Sequence, residues 1–240
     1  MLDNRYLTKL AVKQQTTEVN IRREYVQHLL LSYLYQQPAG ENLFFKGGTA
    51  LRLVHQSPRF SEDLDFDASV HRRTVWEKAV ETVLVSLAAE GAGVDIRESK
   101  LTSGGYLAIP VFNLGGSEVA IKLEISFRKE EKLSGEIFAV ANDFIPVYPI
   151  KALRSDQLAA GKLHALLERA KARDFYDLYF LLRGNLLTAF QKKQLPEILQ
   201  QLRRSRLDFK QELKLFLPKN QWLLVKDFKA ILEREISQYG

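Results

Sequence analysis

Acidic side chains crowd two short stretches of the chain. In Asp63-Leu64-Asp65-Phe66-Asp67 acids alternate with apolar residues, and Glu124 sits within the alternating run Val119-Ala120-Ile121-Lys122-Leu123-Glu124-Ile125-Ser126. Successive side chains of a strand point to opposite faces, so Asp63, Asp65 and Asp67 share one face while Leu64 and Phe66 share the other. By the same rule Val119, Ile121, Leu123 and Ile125 go inward, and Glu124 projects the other way with Ala120, Lys122 and Ser126. Clustered carboxylates repel and raise one another's pKa unless a cation sits among them. A hard cation such as Mg²⁺ is held by a few carboxylates together with substrate phosphates, and acids on two strands supply such a set. Carboxylates on a solvated sheet face are also common, so taken alone these leave a purely structural reading open.

Upstream, Lys46-Gly47-Gly48-Thr49 lies between an apolar run and a helical one. Bare backbone at a glycine pair lets a ligand come close, and amides at a helix start hold phosphate oxygens. The stretch is neither a Walker loop nor a dinucleotide fingerprint, because G-x-x-x-x-G-K-[ST] and G-x-G-x-x-G are both absent. His28, His55, His71 and His164 lack metal-ligand spacing such as H-E-x-x-H and read as surface or packed residues. Arg128-Lys129-Glu130-Glu131-Lys132 reads as a solvated mixed-charge turn.

These residues need elements to hold them. Apolar positions from Glu18 to Tyr35 recur at three- and four-residue intervals and predict an amphipathic helix, ended by Gln36-Gln37-Pro38-Ala39-Gly40. A strand at Leu43–Phe45, the Gly47-Gly48 turn, a helix from about Thr49 to His55 and a strand at Asp63–Asp67 follow. A second helical stripe runs from Val75 to Leu87. Strands are expected at Val94–Ile96, Tyr106–Phe112 and Val119–Phe127, the last two joined by a Gly115-Gly116 turn. After Pro149 the pattern becomes helical, at Asp156–Arg169, Asp174–Arg183, roughly Leu186–Leu202 and roughly Lys226–Gln238. The expected fold class is α+β: residues 1–149 form an N-terminal helix and a small mixed or antiparallel sheet, and residues 150–240 are all-helical.

Composition narrows the classes. With 46% hydrophobic residues, a mean hydropathy of −0.19 and no long uncharged apolar run, the chain is neither disordered nor expected to span a membrane. The absence of cysteine excludes disulfides, Cys-ligated zinc and a thiol nucleophile. The start Met1-Leu2-Asp3-Asn4-Arg5 opens no signal-peptide pattern, so the cytoplasm is the expected compartment. A net charge of +6 favours polyanionic partners such as RNA or nucleotides.

The spacing of these motifs carries a resemblance. G-G-T, thirteen residues, D-L-D and a later L-E-I resemble the nucleotidyltransferase signature of the DNA polymerase β superfamily. The longer strings FFKGGTALRL, RFSEDLDFD, IKLEIS and KARDFYDLYFLL resemble the AbiEii/AbiGii nucleotidyltransferase toxin family, the toxin component of type IV toxin–antitoxin and phage-defence systems. The match spans roughly residues 40–185. It implies a polymerase β-like mixed sheet domain followed by an all-helical domain, with the active site in the cleft between them. It also implies transfer of a nucleotide from ATP, GTP, CTP or another NTP with release of pyrophosphate, dependent on Mg²⁺ or Mn²⁺.

Residue by residue, the resemblance implies that Lys46, Gly47, Gly48 and Thr49 hold nucleotide phosphates. Asp63 and Asp65 would bind the metal and act in catalysis, and Glu124 would be the third acid, with Asp67 on the same predicted face. Arg59, just before Asp63, would lie against phosphate. In the helical part, Lys162 and Arg173-Asp174-Phe175-Tyr176-Asp177 match later family motifs. Lys162 is then a catalytic point charge for the triphosphate, and Asp174 or Asp177, three apart on one helical face, would orient it or accept a proton from the attacking hydroxyl. A solvated lysine and a buried polar lock between helices fit the same residues.

The implied acceptor is RNA such as tRNA, and the implied partner is a cognate antitoxin. A small-molecule or protein acceptor, a metal-dependent nuclease and a non-catalytic binder of RNA or nucleotide stand as alternatives. A nuclease with a lysine two residues after its acid is disfavoured, because Ser126 holds that position and Lys122 lies two before Glu124. Arg203-Arg204-Ser205-Arg206, outside every family string, reads as a solvated helix end or as a contact for RNA phosphates.

Overall fold

The computed structural model describes residues 1–127 and 133–239, and the mixed-charge run 128–132 lies outside them. The chain divides into two compact units, Met1–Gln56 with Phe60–Leu153, and Ser57–Arg59 with Arg154–Gly240. No helix among the described residues is long and apolar enough to cross a membrane.

In the first unit, α1 (Asn4–Lys13) starts where the Asp3 carboxylate accepts the Arg5 amide, an element that the sequence pattern did not predict. Helix α2 (Glu18–Gln36) begins at Thr17, whose hydroxyl accepts the Asn20 amide, and stops before Pro38. Next come β1 (Leu43–Lys46), α3 (Gly47–His55), β2 (Leu64–Ala68), α4 (Arg73–Ala89), β3 (Gly93–Thr102) and β4 (Gly105–Leu114). Strands β5 (Ser117–Ala120), β6 (Leu123–Phe127), β7 (Gly135–Val140) and β8 (Tyr148–Leu153) complete the unit. The sheet runs β3-β4-β6-β2-β1-β8-β7, with β5 paired to β4. It is mixed: β2 with β6 and β1 with β8 are parallel, and the other pairs are antiparallel. Together with the helical second unit this is the α+β class expected.

One face of the sheet is core. Phe45, Leu64, Phe66, Leu123 and Ile125 are all essentially buried, and the ring of Tyr35 of α2 lies tilted against Phe66. Their register partners one residue along carry the acids, so the predicted division into an apolar and an acidic face holds.

Three details differ from the pattern-based expectation. Strand β2 begins at Leu64, so Asp63 lies one residue outside it. The single strand expected over Val119–Phe127 breaks at Ile121 and Lys122. Opposite Ile121 stands Pro110 of β4, which has no amide hydrogen, so the Ile121 N–H reaches the Pro110 carbonyl at 3.0 Å without a reciprocal bond. The Lys122 carbonyl accepts the Leu64 N–H at 2.8 Å, joining the break to the start of β2. Strands β7 and β8 were not expected, and β8 runs through residue 150, where the sequence changes character.

The second unit holds α5 (Ser155–Arg169), α6 (Ala172–Arg183), α7 (Ala189–Lys192), α8 (Leu195–Arg204), α9 (Phe209–Lys214), α10 (Trp222–Lys226) and α11 (Phe228–Ser237). The helix expected over Leu186–Leu202 is two helices. Pro196 cannot sit inside a helix, and it occupies the first turn of α8 instead. Rings of Phe175, Tyr176, Phe209 and Phe228 form the centre of this unit.

Candidate active site

Strand register brings the predicted acids together. Asp65 of β2 lies beside Glu124 of β6 on one side and Lys46 of β1 on the other, and Asp67 lies beside Ser126. The two outer acids meet different lysines. Asp67 is 3% exposed and accepts the Lys46 ammonium, which also donates to Ser126 Oγ at 3.3 Å. Glu124 accepts Lys122 Nζ at 2.6 Å on the more open side. The Glu124 hydrogen bond raises the Lys122 pKa above the usual lysine range; partial burial opposes this, and the charges of Glu124, Asp63 and Asp65 add to it. An ammonium therefore already sits among the three predicted metal ligands.

The glycine turn is built against the same carboxylates. Gly47 is the first residue of α3 and has φ of +82°, a conformation that side chains disfavour. A Cβ there would overlap the Asp65 carboxylate, so only glycine lets this acid lie on the helix start. Thr49 is fully buried and donates its hydroxyl to the Asp63 carbonyl at 2.5 Å. The first turn of α3 is thus tied both to Asp63 and to Asp65. Its amides have no acceptor within the helix, and the helix dipole places positive potential there.

The donor set suits a hard cation. Asp63, Asp65 and Glu124 offer only carboxylate oxygens, and the Lys122 ammonium marks the place as one that takes positive charge. Among the described residues no group of three or more His, Cys, Asp or Glu side chains is placed to hold a metal ion. Mg²⁺ does not need such a group, since one or two carboxylates plus substrate phosphates satisfy it, and Asp63 with Asp65 fits that pattern.

The second unit arranges the remaining candidates around Asp177. Arg59 grips this carboxylate with two arms, Nε to Oδ1 at 2.7 Å and Nη2 to Oδ2 at 2.9 Å. Lys162 of α5 donates to Asp177 Oδ2 at 2.7 Å. Burial alone would push the Asp177 pKa up, but Arg59 and then Lys162 outweigh it and hold the carboxyl at about 2. Asp174 accepts Arg169 Nε at 2.9 Å and Nη2 at 2.7 Å, and the Lys171 amide at 3.2 Å, which secures the start of α6. Lys162 and Asp177 form the polar lock between helices that the sequence allowed, and Arg59 completes it.

The sequence places Arg59 near phosphate and lets either Asp174 or Asp177 orient Lys162; in the structure Asp177 is the one that meets Lys162, and Arg59 joins it. The pairing of Arg59 with Asp177 joins positions 118 residues apart, so no local pattern signals it. The alternating run already puts Lys122 on the face of Glu124, and the structure pairs the two side chains. Among the histidines, His28 is buried with Nδ1 2.7 Å from the Tyr148 hydroxyl, and His164 pairs with Glu168 on the surface. Arg203, Arg204 and Arg206 are exposed at the end of α8 and just beyond it.

Comparison with known proteins gives a family and a fold. Residues 28–238 match the family model described as nucleotidyl transferase AbiEii toxin, type IV TA system. The structure of JHP933 from Helicobacter pylori superposes with a TM-score of 0.62 at 22% identity, covering 93% of this chain and 95% of that one. MenT4, a nucleotidyltransferase toxin from Mycobacterium tuberculosis H37Rv, gives 0.64 at 18% identity, covering 100% of this chain and 90% of that one. The comparison with curated proteins gives no match.

Proposed function

The chain belongs to the AbiEii nucleotidyltransferase toxin family of type IV toxin–antitoxin systems, and from that premise we propose that it transfers a nucleotide from an NTP to RNA, such as tRNA, with Mg²⁺. The observation that carries this reading is the Asp65 carboxylate, in register with Glu124, lying against the Gly47 start of α3, while Thr49 of the same turn holds the Asp63 carbonyl. An oxygen-donor face for a cation thereby meets a helix N-terminus suited to phosphate.

Nucleotidyl transfer is an in-line displacement. A bond forms between the acceptor hydroxyl oxygen and the α-phosphorus, the bond from that phosphorus to the β-phosphate bridge breaks, and pyrophosphate leaves. Asp63 and Asp65, with Glu124 as the third acid, would hold Mg²⁺. When bound, the metal neutralises phosphate charge and favours the attacking alkoxide. Amides of Gly47, Gly48 and Thr49 would position phosphate oxygens, while the Thr49 hydroxyl keeps Asp63 in place. Lys46 fixes Asp67 and so keeps a buried acid from competing for the cation. Lys162 is the proposed point charge for polyphosphate in the helical unit, held by Asp177. Asp174 acts through the start of α6. A type IV toxin implies a neutralising antitoxin, and defence against phage is the proposed setting.

The test incubates purified protein with Mg²⁺, each labelled NTP in turn and total RNA. Label should move to RNA, and Asp63→Asn and Asp65→Asn should abolish transfer with melting curves unchanged. RNA affinity should fall steeply between about 50 and 200 mM salt, and charge reversal at Arg203 and Arg204 should weaken it while NTP binding persists. Label on protein or on a small metabolite overturns the RNA assignment. Full activity of both Asn variants overturns the site.

A further inference from the structure

We propose that Lys122 is the resident counter-ion of the carboxylate set, a positioning residue whose ammonium holds Glu124 beside Asp63 and Asp65 and yields that place when a divalent cation enters. The acidic face contains two lysines in contrasting situations. Lys46 reaches Asp67, which is sealed in the sheet at 3% exposure, and is held there by Ser126 as well. Lys122 is 45% exposed along its side chain, and its Glu124 partner is 40% exposed. The first pair is a fixed part of the sheet; the second has water on its open side and room for the lysine stem to turn away.

The backbone supports the difference. Lys122 lies in the break between β5 and β6 caused by Pro110, outside the strand ladder, while Glu124 is inside β6 and in register with Asp65. The Glu124 backbone is therefore fixed beside that of Asp65, and since the Lys122 carbonyl is itself held by the Leu64 N–H, the freedom of Lys122 lies in its partly exposed side chain. An ammonium and a dication cannot share the same carboxylate oxygens without strong repulsion, so the two states exclude each other. Lys122 in this role keeps three neighbouring carboxylates from repelling one another before the metal arrives, and it lowers metal affinity by the strength of the contact that must be broken.

This inference rests on the proposed divalent-cation site at Asp63 and Asp65. The test measures Mn²⁺ affinity, by electron paramagnetic resonance and by calorimetry without NTP, for the wild type, Lys122→Met, Lys122→Arg and Lys78→Met. The last removes an exposed charge on α4 and reports the effect of net charge alone. Partly exposed ion pairs are weak, so Lys122→Met should bind Mn²⁺ roughly threefold to fivefold more tightly, with Lys122→Arg and Lys78→Met within about twofold of wild type. Unchanged melting of Lys122→Met confirms that the fold is intact. Equal or weaker Mn²⁺ binding by Lys122→Met, with measurable wild-type binding, overturns the counter-ion role alone. Absence of Mn²⁺ binding in every variant overturns the metal-site reading, and the counter-ion role with it.

Discussion

Replacing Asp177 by Asn removes one negative charge at nearly constant shape from between two cations. Arg59 is 4% exposed and has both of its arms on this carboxylate, so in the variant a buried guanidinium loses its anion. Breaking a buried ion pair by removing one partner costs about 3–5 kcal/mol, and Asp177→Asn is expected in that range. Lys162, only 10% exposed along its side chain, loses the same acceptor and adds to the cost. The opposite cut, Arg59→Met, leaves Asp177 paired with Lys162 at 2.7 Å and should cost less, about 1.5–3 kcal/mol. Arg59→Met combined with Asp177→Leu removes both charges and should recover most of the loss of Asp177→Asn. Urea unfolding followed by circular dichroism at pH 7 gives the energies. Hydrogen exchange on α6 locates the loss in the helical unit, since a two-unit chain need not unfold in one step. Asp177→Asn within about 1 kcal/mol of wild type, or Arg59→Met costing more than Asp177→Asn, refutes the reasoning from burial and pairing.

Gly47→Ala and Gly91→Ala should each lose about 1–2 kcal/mol, because φ is +82° and +87° at the two positions. Only Gly47→Ala displaces the Asp65 carboxylate, since a Cβ at Gly91 meets open space, so only it should lose nucleotidyl transfer. Equal activity in the two variants, measured beside their melting temperatures, would argue against a site at the glycine turn. His28 is held neutral, first by burial and then by the charge of Arg52, with its pKa lowered from 6.5 to about 3. The unfolded chain takes up a proton that the folded chain refuses, so the stability present above pH 6.5 is lost as pH falls toward 3. The slope approaches about 1.4 kcal/mol per pH unit, which gives roughly 2 kcal/mol by pH 5. Thermal unfolding at pH 7 and pH 5 should show that loss in the wild type and a flatter response in His28→Gln; parallel responses would refute it.

The acidic face was legible in the sequence because strand alternation has a period of two and needs no tertiary information. Asp65 and Asp67 fall on the side opposite Leu64 and Phe66, and Glu124 opposite Leu123 and Ile125, wherever the strands pair. The glycine pair likewise marked a backbone that must come close to something, and apolar spacing marked α2, α4, α5 and α6 as helices, although α2, expected to be amphipathic, buries Arg22, Glu24, Gln27 and His28 beside its apolar residues. Strands β7 and β8 were illegible because β7 is an edge strand with most of its residues exposed or partly so, and β8 contains Pro149, a residue that argues against a strand. The split between β5 and β6 needed the knowledge that Pro110 lies opposite Ile121, a fact of register. What close approached Gly47 was also undecided until β2 paired with β1 and set Asp65 against it. The sequence carries four acids and two lysines on one face, but which lysine meets which acid depends on strand order and depth: Lys46 reaches inward to Asp67, and Lys122 stays at the open side with Glu124. In the helical unit, Arg59 and Asp177 meet only because the chain folds back on itself. Local periodicity determines which way a side chain points, whereas its charge partner is determined by residues far along the chain, and in this protein that second decision separates a fixed ion pair from an exchangeable one.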